Sequence, residues 1–275
     1  MNVLKLYRRL FIIATLLLPL SGAALSCNEK TDPQPEAPAS PTHLLPRLLG
    51  TIPHDQGSFT QGLIYNSGRL YESTGLYGKS TIRILDTTGS VTHSRQLSDQ
   101  FFAEGCTFFD GRIFQITWKE QRCFIYTSED LSPVDTLTYT GEGWGLTAND
   151  SQLVMSNGSD TLYFRNSSFE TVRTLPVKNA GVPLERLNEL EYAYERIYAN
   201  VWFSDYIFEI NPAIGEVERI IDCSELVARE APTSDEQVLN GIAYDAAADR
   251  FFVTGKNWKT VFIVSIPAPT FPGNR

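Results

Sequence analysis

Hydrophobic and polar positions along this chain fall into short runs of about five residues, and the runs come in sets. Residues 69–73, 112–116, 152–156, 196–200 and 250–254 are rich in β-branched, aromatic and aliphatic side chains. A second run follows each of them, at 81–85, 123–126, 161–165, 206–210 and 260–265. Gly, Asp, Asn and Ser bound these runs, which is the pattern of strands separated by tight turns. Weaker runs at 90–97, 134–139, 169–177 and 216–222 predict a further strand in the first four sets.

Each set opens on a short phrase: Gln61-Gly62-Leu63, Glu104-Gly105-Cys106, Trp144-Gly145-Leu146, Asn188-Glu189-Leu190 and Asn240-Gly241-Ile242. The middle residues lie 43, 40, 44 and 52 positions apart. A repeat of that length built from short strands predicts propeller blades. The last set lacks its fourth strand, and an unmatched run at 47–52 precedes the first. The pattern therefore predicts an all-β, five-bladed β-propeller whose last blade is closed by the N-terminal strand. Such closure removes the free edges of an open ring.

The phrase also carries the candidate chemistry. Its middle and last positions are nearly constant, as a scaffold requires. Its first position holds Gln61, Glu104, Trp144, Asn188 and Asn240. The first strand of a blade lies nearest the axis, so these side chains should converge near one mouth of the channel. Trp118, Trp202 and Lys256 stand at the far end of the second strand, which in a tight antiparallel pair adjoins the start of the first. Taken singly, each tryptophan reads as core packing and Glu104 as a surface acid. One shared location explains all of them: a small aromatic pocket with one acid, one lysine and several amides.

The N-terminus reads as a targeting segment. Lys5, Arg8 and Arg9 precede an apolar stretch at 10–20, too short to span a bilayer comfortably and typical of a signal. Small residues then lead to Ala24-Leu25-Ser26-Cys27, which resembles a bacterial lipoprotein signal with Cys27 as the lipidated first residue. Ala24 stands where such signals usually carry Leu, and an ordinary secretory signal with an incidental cysteine is the alternative. The expected organisation is a signal peptide at 1–26, a Pro-rich tether at 27–45 and the propeller at 46–270. The expected location is the bacterial cell envelope, lipid-anchored and facing the periplasm or cell surface.

Charge and cysteine content narrow the partners. Lys and Arg number 23 against 32 Asp and Glu, a net charge of −9. That acidity argues against nucleic acid, while a cationic peptide N-terminus is tolerated. Beyond Cys27 there are Cys106, Cys123 and Cys223, an odd number for an exported protein. Cys106 and Cys123 fall on the first and third strands of one blade, about 9–10 Å apart and too far for a disulfide. Buried free thiols are expected, with a catalytic Cys106 the lesser alternative. Only three histidines occur, His43, His54 and His93, and no two are spaced as metal ligands. That speaks against a histidine-rich zinc site or a Ser-His-Asp triad. Asn188 and Asn240 could contribute to a structural calcium in the channel or could bond channel water.

Several of these segments carry a resemblance. Phe59-Thr60-Gln61-Gly62-Leu63, Phe102-Ala103-Glu104-Gly105-Cys106-Thr107, Gly143-Trp144-Gly145-Leu146-Thr147, Leu187-Asn188-Glu189-Leu190-Glu191 and Thr254-Gly255-Lys256-Asn257-Trp258 resemble the motifs of the glutamine cyclotransferase family. This is the plant and bacterial type of glutaminyl-peptide cyclotransferase, and the likeness runs from about residue 48 to 264. The resemblance implies a five-bladed propeller that converts the N-terminal glutamine of peptides or proteins to pyroglutamate with release of ammonia. It implies Glu104 as general acid and base, Lys256 at the oxyanion or in steering, and Gln61 and Asn188 as amides that orient the substrate. It implies Phe59, Phe102, Trp118, Trp144 and Trp202 as pocket walls. The chemistry implied needs no cofactor, and the protein is expected to be a monomer. The alternatives are a non-catalytic propeller lipoprotein that binds peptides or other ligands, and a lactonase- or lyase-type enzyme. The latter would call for more acids or histidines than the repeats supply.

Overall fold

The computed structural model describes residues 40–270, and it is a ring of five blades. Blade one is built from Thr60–Asn66, Arg69–Thr74, Thr81–Leu85 and Val91–Gln96. Blade two is Ala103–Phe109, Arg112–Thr117, Arg122–Thr127 and Pro133–Thr138, and blade three is Leu146–Ala148, Leu153–Met155, Thr161–Arg165 and Thr171–Pro176. Blade four is Leu187–Ala193, Arg196–Val201, Tyr206–Ile210 and Val217–Asp222. Blade five takes Leu239–Asp245, Arg250–Gly255 and Thr260–Ser265 from the C-terminal part of the chain. Arg47–Pro53 supplies its outer strand, antiparallel to Thr260–Ser265. Strands within each blade run antiparallel in sequence order, as the tight turns dictate.

Why the ring closes is visible in its core. The buried apolar residues form five clusters, and each fills the wedge between two neighbouring blades. Ile52, Leu63, Leu70, Phe252 and Val261 join blade five to blade one. Inner and second strands are therefore buried on both faces, as in Arg69–Thr74, while outer strands such as Val91–Gln96 lie largely in solvent. This explains why the outer strands show the weaker apolar pattern.

Two features depart from the sequence expectation. Residues 42–44, assigned to the tether, form the strand Thr42–Leu44, which pairs in parallel with Val217–Asp222 and gives blade four a fifth strand. The outer edge of blade four offers unpaired backbone groups, and Pro41 and Pro46 bracket a segment short enough to cap it. The folded body thus begins before residue 46. The inner strand of blade three is cut to Leu146–Ala148, so Trp144 precedes the strand rather than opening it. Backbone bonds from Trp144 N to Ser156 O and from Ser156 N to Gly145 O, both at 3.0 Å, still hold this segment, and the Ser156 hydroxyl adds to them, accepting from Gly145 N at 2.7 Å and donating to Asn188 O at 2.6 Å. The signal segment, Cys27 and most of the tether lie outside the described residues.

Candidate active site

The repeated phrase sits where the backbone departs from regular pairing. In blades one, two, four and five the ladder between inner and second strands skips at Gln61, at Glu104-Gly105, at Asn188-Glu189 and at Asn240-Gly241. Such bulges bend the strand and re-aim one side chain. The middle glycine has a different reason. At Gly145 a Cβ would collide with the Asn188 carbonyl, and at Gly105 with Leu146 N, because inner strands of successive blades touch backbone to backbone around the axis. Blade four alone carries a side chain at this position. The buried Glu189 carboxylate accepts from Leu63 N at 3.3 Å and Ile242 N at 2.9 Å, spanning blades one and five. The repeat marks this position as scaffold, and in blade four the scaffold includes an acid.

Beside the bulges, the residues that directly follow the second strands are held by one recurring bond. Trp118 N donates to Phe102 O at 2.9 Å, Trp202 N to Arg186 O at 3.0 Å, and Lys256 N to Val238 O at 2.9 Å. The end of strand two is thereby tied to the residue just before or at the start of strand one. Together these positions enclose a cavity of about 270 Å³. Phe59, Gln61, Phe102, Glu104, Trp118, Trp144, Asn188, Trp202 and Lys256, the nine candidates drawn from the sequence, all line it. Asn240 does not. Its Nδ2 donates to Thr60 O at 2.9 Å and Gln61 Oε1 at 3.2 Å, so it holds Gln61 from behind.

The walls are aromatic and mutually braced. Phe102 meets Phe59 at 6.3 Å and Trp118 at 5.6 Å between ring centroids, both edge to face. Trp144 meets Trp202 edge to face at 5.5 Å. Two polar atoms of the lining, Trp202 Nε1 and Asn188 Oδ1, are buried and find no hydrogen-bond partner among the described residues. A buried donor and a buried acceptor left open cost free energy until a ligand or water satisfies them.

Glu104 and Lys256 are each 5 % exposed and form no ion pair with each other. Burial drives the Glu104 carboxyl well above the usual range. Lys256 opposes that shift, while Glu142 and Glu120 add to it. Burial lowers the Lys256 ammonium, against the pull of Glu104 and Glu236. The ammonium lies 4.7 Å from the centre of the Phe59 ring. Leu76 and Glu236 complete the lining and were not legible from the repeats, since both stand on connections outside the repeated phrases. Glu142, two residues before Trp144, was missed as well: its Oε2 accepts from both Trp118 Nε1 and Trp144 Nε1.

Cys106, Cys123 and Cys223, the cysteines among the described residues, are buried free thiols, and burial pushes Cys106 far from the thiolate that a nucleophile needs. Among the described residues, no group of three or more His, Cys, Asp or Glu side chains could hold a metal ion. At the axis, Asn188 and Asn240 offer two open amide oxygens, against the six to eight oxygens a calcium ion takes.

Comparison with known proteins points to one family. The family model for glutamine cyclotransferase matches residues 18–266. A glutaminyl-peptide cyclotransferase of Arabidopsis thaliana is 37 % identical over 226 residues, covering 80 % of this chain and 70 % of that protein. The crystal structure of Myxococcus xanthus glutaminyl cyclase is 36 % identical with a TM-score of 0.78, covering 84 % of this chain and 100 % of that one. The WD40 repeats of RRP9, at 8 % identity and a TM-score of 0.50 over 82 % of this chain and 99 % of theirs, share the propeller fold alone.

Proposed function

The chain belongs to the glutamine cyclotransferase family, and we propose that its pocket cyclises the N-terminal glutamine of peptides or proteins to pyroglutamate. The observation that carries this reading is one buried carboxyl and one buried lysine, unpaired with each other, facing a cavity of about 270 Å³ walled by indoles.

In the reaction the substrate's α-amine attacks its own side-chain carboxamide carbon. A C–N bond forms and closes the lactam ring, the bond to the amide nitrogen breaks, and ammonia leaves. Glu104 takes the proton from the attacking amine and delivers it to the departing nitrogen. Its raised titration suits that exchange, because a carboxyl nearer the working pH both accepts and returns a proton. Lys256 donates to the oxyanion that develops on the carboxamide oxygen. Asn188 Oδ1 and Trp202 Nε1, an open acceptor and an open donor, match the amine and carboxamide of a glutamine terminus. Gln61, its Oε1 fixed by Asn240, turns its amide donor to the same ligand. The aromatic walls hold water away and favour cyclisation over hydrolysis.

The sequence of residues 1–27 supports export and lipid attachment at Cys27, which would hold the propeller at the cell envelope; a monomer is the reading tested by light scattering. The reaction runs on side chains; a structural calcium at the axis is a separate reading, tested by the effect of calcium on the melting temperature.

The test is ammonia release from a Gln-initiated dipeptide by the wild type and Glu104→Gln, with circular dichroism confirming both folds. Turnover that collapses in the variant supports the reading. A well-folded wild type without turnover overturns it in favour of a peptide-binding propeller.

A further inference from the structure

Three tryptophans wall the pocket, and their indole N–H groups are not treated alike. Trp202 Nε1 is open, whereas Trp118 Nε1 and Trp144 Nε1 both donate to a single oxygen, Glu142 Oε2, at 2.8 and 3.1 Å. Trp118 directly follows the second strand of blade two, and Trp144 introduces the first strand of blade three. Glu142 lies on the connection between these blades, so one carboxylate oxygen joins the indoles of pocket walls from two blades, beside the backbone bonds from Gly105 N to Trp144 O at 2.7 Å and from Gly143 N to Trp118 O at 2.9 Å. It does not line the cavity itself.

The surroundings show that this bridge is built. Lys119 Nζ stands 4.0 Å from Glu142 Oε1 and 3.6 Å over the Trp118 ring, so Trp118 is held at its edge by the carboxylate and on its face by the ammonium. Trp144 has its edge on Glu142, and its six-membered ring lies so close to Gly158 that a Cβ there would stand 2.6 Å from it. An indole rotates freely about two bonds unless something pins its edge, and a charged acceptor shared by two N–H groups pins both. The flanking Gly141, with φ of 88°, and Gly143, where a Cβ would press on Ile116 and Thr117, let the backbone present Glu142 at this point.

We propose that Glu142 is a positioning residue for the cyclisation: its Oε2 locks the indoles of Trp118 and Trp144 so that they shape the pocket around the folded glutamine side chain. Ring closure requires the amine to meet the carboxamide carbon in a narrow set of conformers. Misplacing a wall by about 1 Å costs up to roughly a hundredfold in rate. The inference rests on the proposed reaction for its kinetic consequence, but the bridge itself is testable without turnover.

The experiment uses the folded protein, Glu142→Gln and Glu142→Ala. The chain has four tryptophans, hence four indole N–H resonances. In Glu142→Gln, which keeps an acceptor oxygen but loses its charge, the two indole resonances of Trp118 and Trp144 shift, and those of Trp202 and Trp258 stay. Fewer than two shifted resonances overturns the bridge, whatever the activity. Kinetically, Glu142→Ala lowers kcat for a Gln-initiated peptide by roughly ten- to a hundredfold with an unchanged fold by circular dichroism. Glu142→Gln recovers most of that loss. Equal loss in both variants, or wild-type kcat in Glu142→Ala, overturns the positioning role. Absence of turnover in the wild type, with the two resonances shifted as expected, rejects the proposed reaction and leaves the bridge standing.

Discussion

Glu72 and Glu104 belong to neighbouring blades, and both are buried, yet their carboxyls are displaced in opposite directions. Glu72, at the junction of blades five and one, accepts from His54 Nε2 at 2.9 Å, Thr60 Oγ1 at 2.7 Å and Arg83 Nη2 at 2.8 Å. Burial raises its carboxyl, but His54 and Arg83 overcome that and hold it below the usual range. His54 bonds Glu72 through one ring nitrogen and Trp258 O, at 2.8 Å, through the other, and the same carboxylate raises it despite its own burial. Glu104 faces a cavity instead of a hydrogen-bonded partner, and burial carries it upward against the pull of Lys256. Desolvation sets the cost of a charge, and neighbours decide whether the charge is kept. One acid is structural because it is satisfied. The other, left unsatisfied, is the acid proposed to react.

The sharpest break of this comparison is to neutralise each acid in turn. Glu104→Gln is expected to lose about 10²–10⁴ in kcat while its melting temperature at neutral pH holds or rises, measured by ammonia release and thermal denaturation. Glu72→Gln should do the reverse. Removing one partner from a buried ionic cluster costs about 3–5 kcal/mol, read by denaturant unfolding, while the fraction that remains folded keeps near-normal kcat. The sign follows from both partners. The lowered Glu72 contributes stability above the ordinary carboxyl value of 4.5, and the raised His54 contributes it in full below the ordinary imidazole value of 6.5. The deficit is therefore largest between those two pH values and shrinks as pH rises through the raised His54 titration.

Lys256→Met probes the same contrast from the cation's side and should lower kcat by about 10²–10³, the usual loss for one oxyanion donor. Of the charges facing Glu104, only Lys256 lowers it, while Glu142 and Glu120 raise it. The acidic limb of the pH–kcat/KM profile should accordingly move to higher pH in this variant. The smallest effect concerns a third buried acid. Glu191, which accepts from Tyr244 N at 3.0 Å, is pushed up to about 8 by burial. A folded-state value above the unfolded one means stability that is present at low pH and lost as pH rises from about 4.5 towards 8. Glu191→Gln keeps the acceptor and should gain about 1–3 kcal/mol at pH 8, with no gain near pH 4.5. A flat difference in melting temperature across that range would refute it.

Much of this was legible along the chain. The third strands at 81–85, 161–165, 206–210 and 260–265 were read with the ends they have in the fold, because alternation and turn residues are local signals. Lys256 and the tryptophans were found because an unusual residue recurring at the end of strand two must share a location with its counterparts. Glu142 and Glu236 escaped because neither sits in a repeat, and Thr42–Leu44 because the four residues between Pro41 and Pro46 carry no strand pattern of their own. Glu189 was visible as a residue but not as a brace, since its partners, Leu63 and Ile242, lie more than 50 positions away.

By itself, then, the sequence determined the number of blades, their closure and the set of side chains that converge on one mouth. Each of these follows from periodicity, which a linear chain records directly. Which buried acid keeps its charge, which indole leaves its N–H open and which carboxylate ties two walls together were decided by the tertiary structure alone. Those properties depend on what stands within a few ångströms in space, and the ring brings those neighbours from blades far apart in the chain.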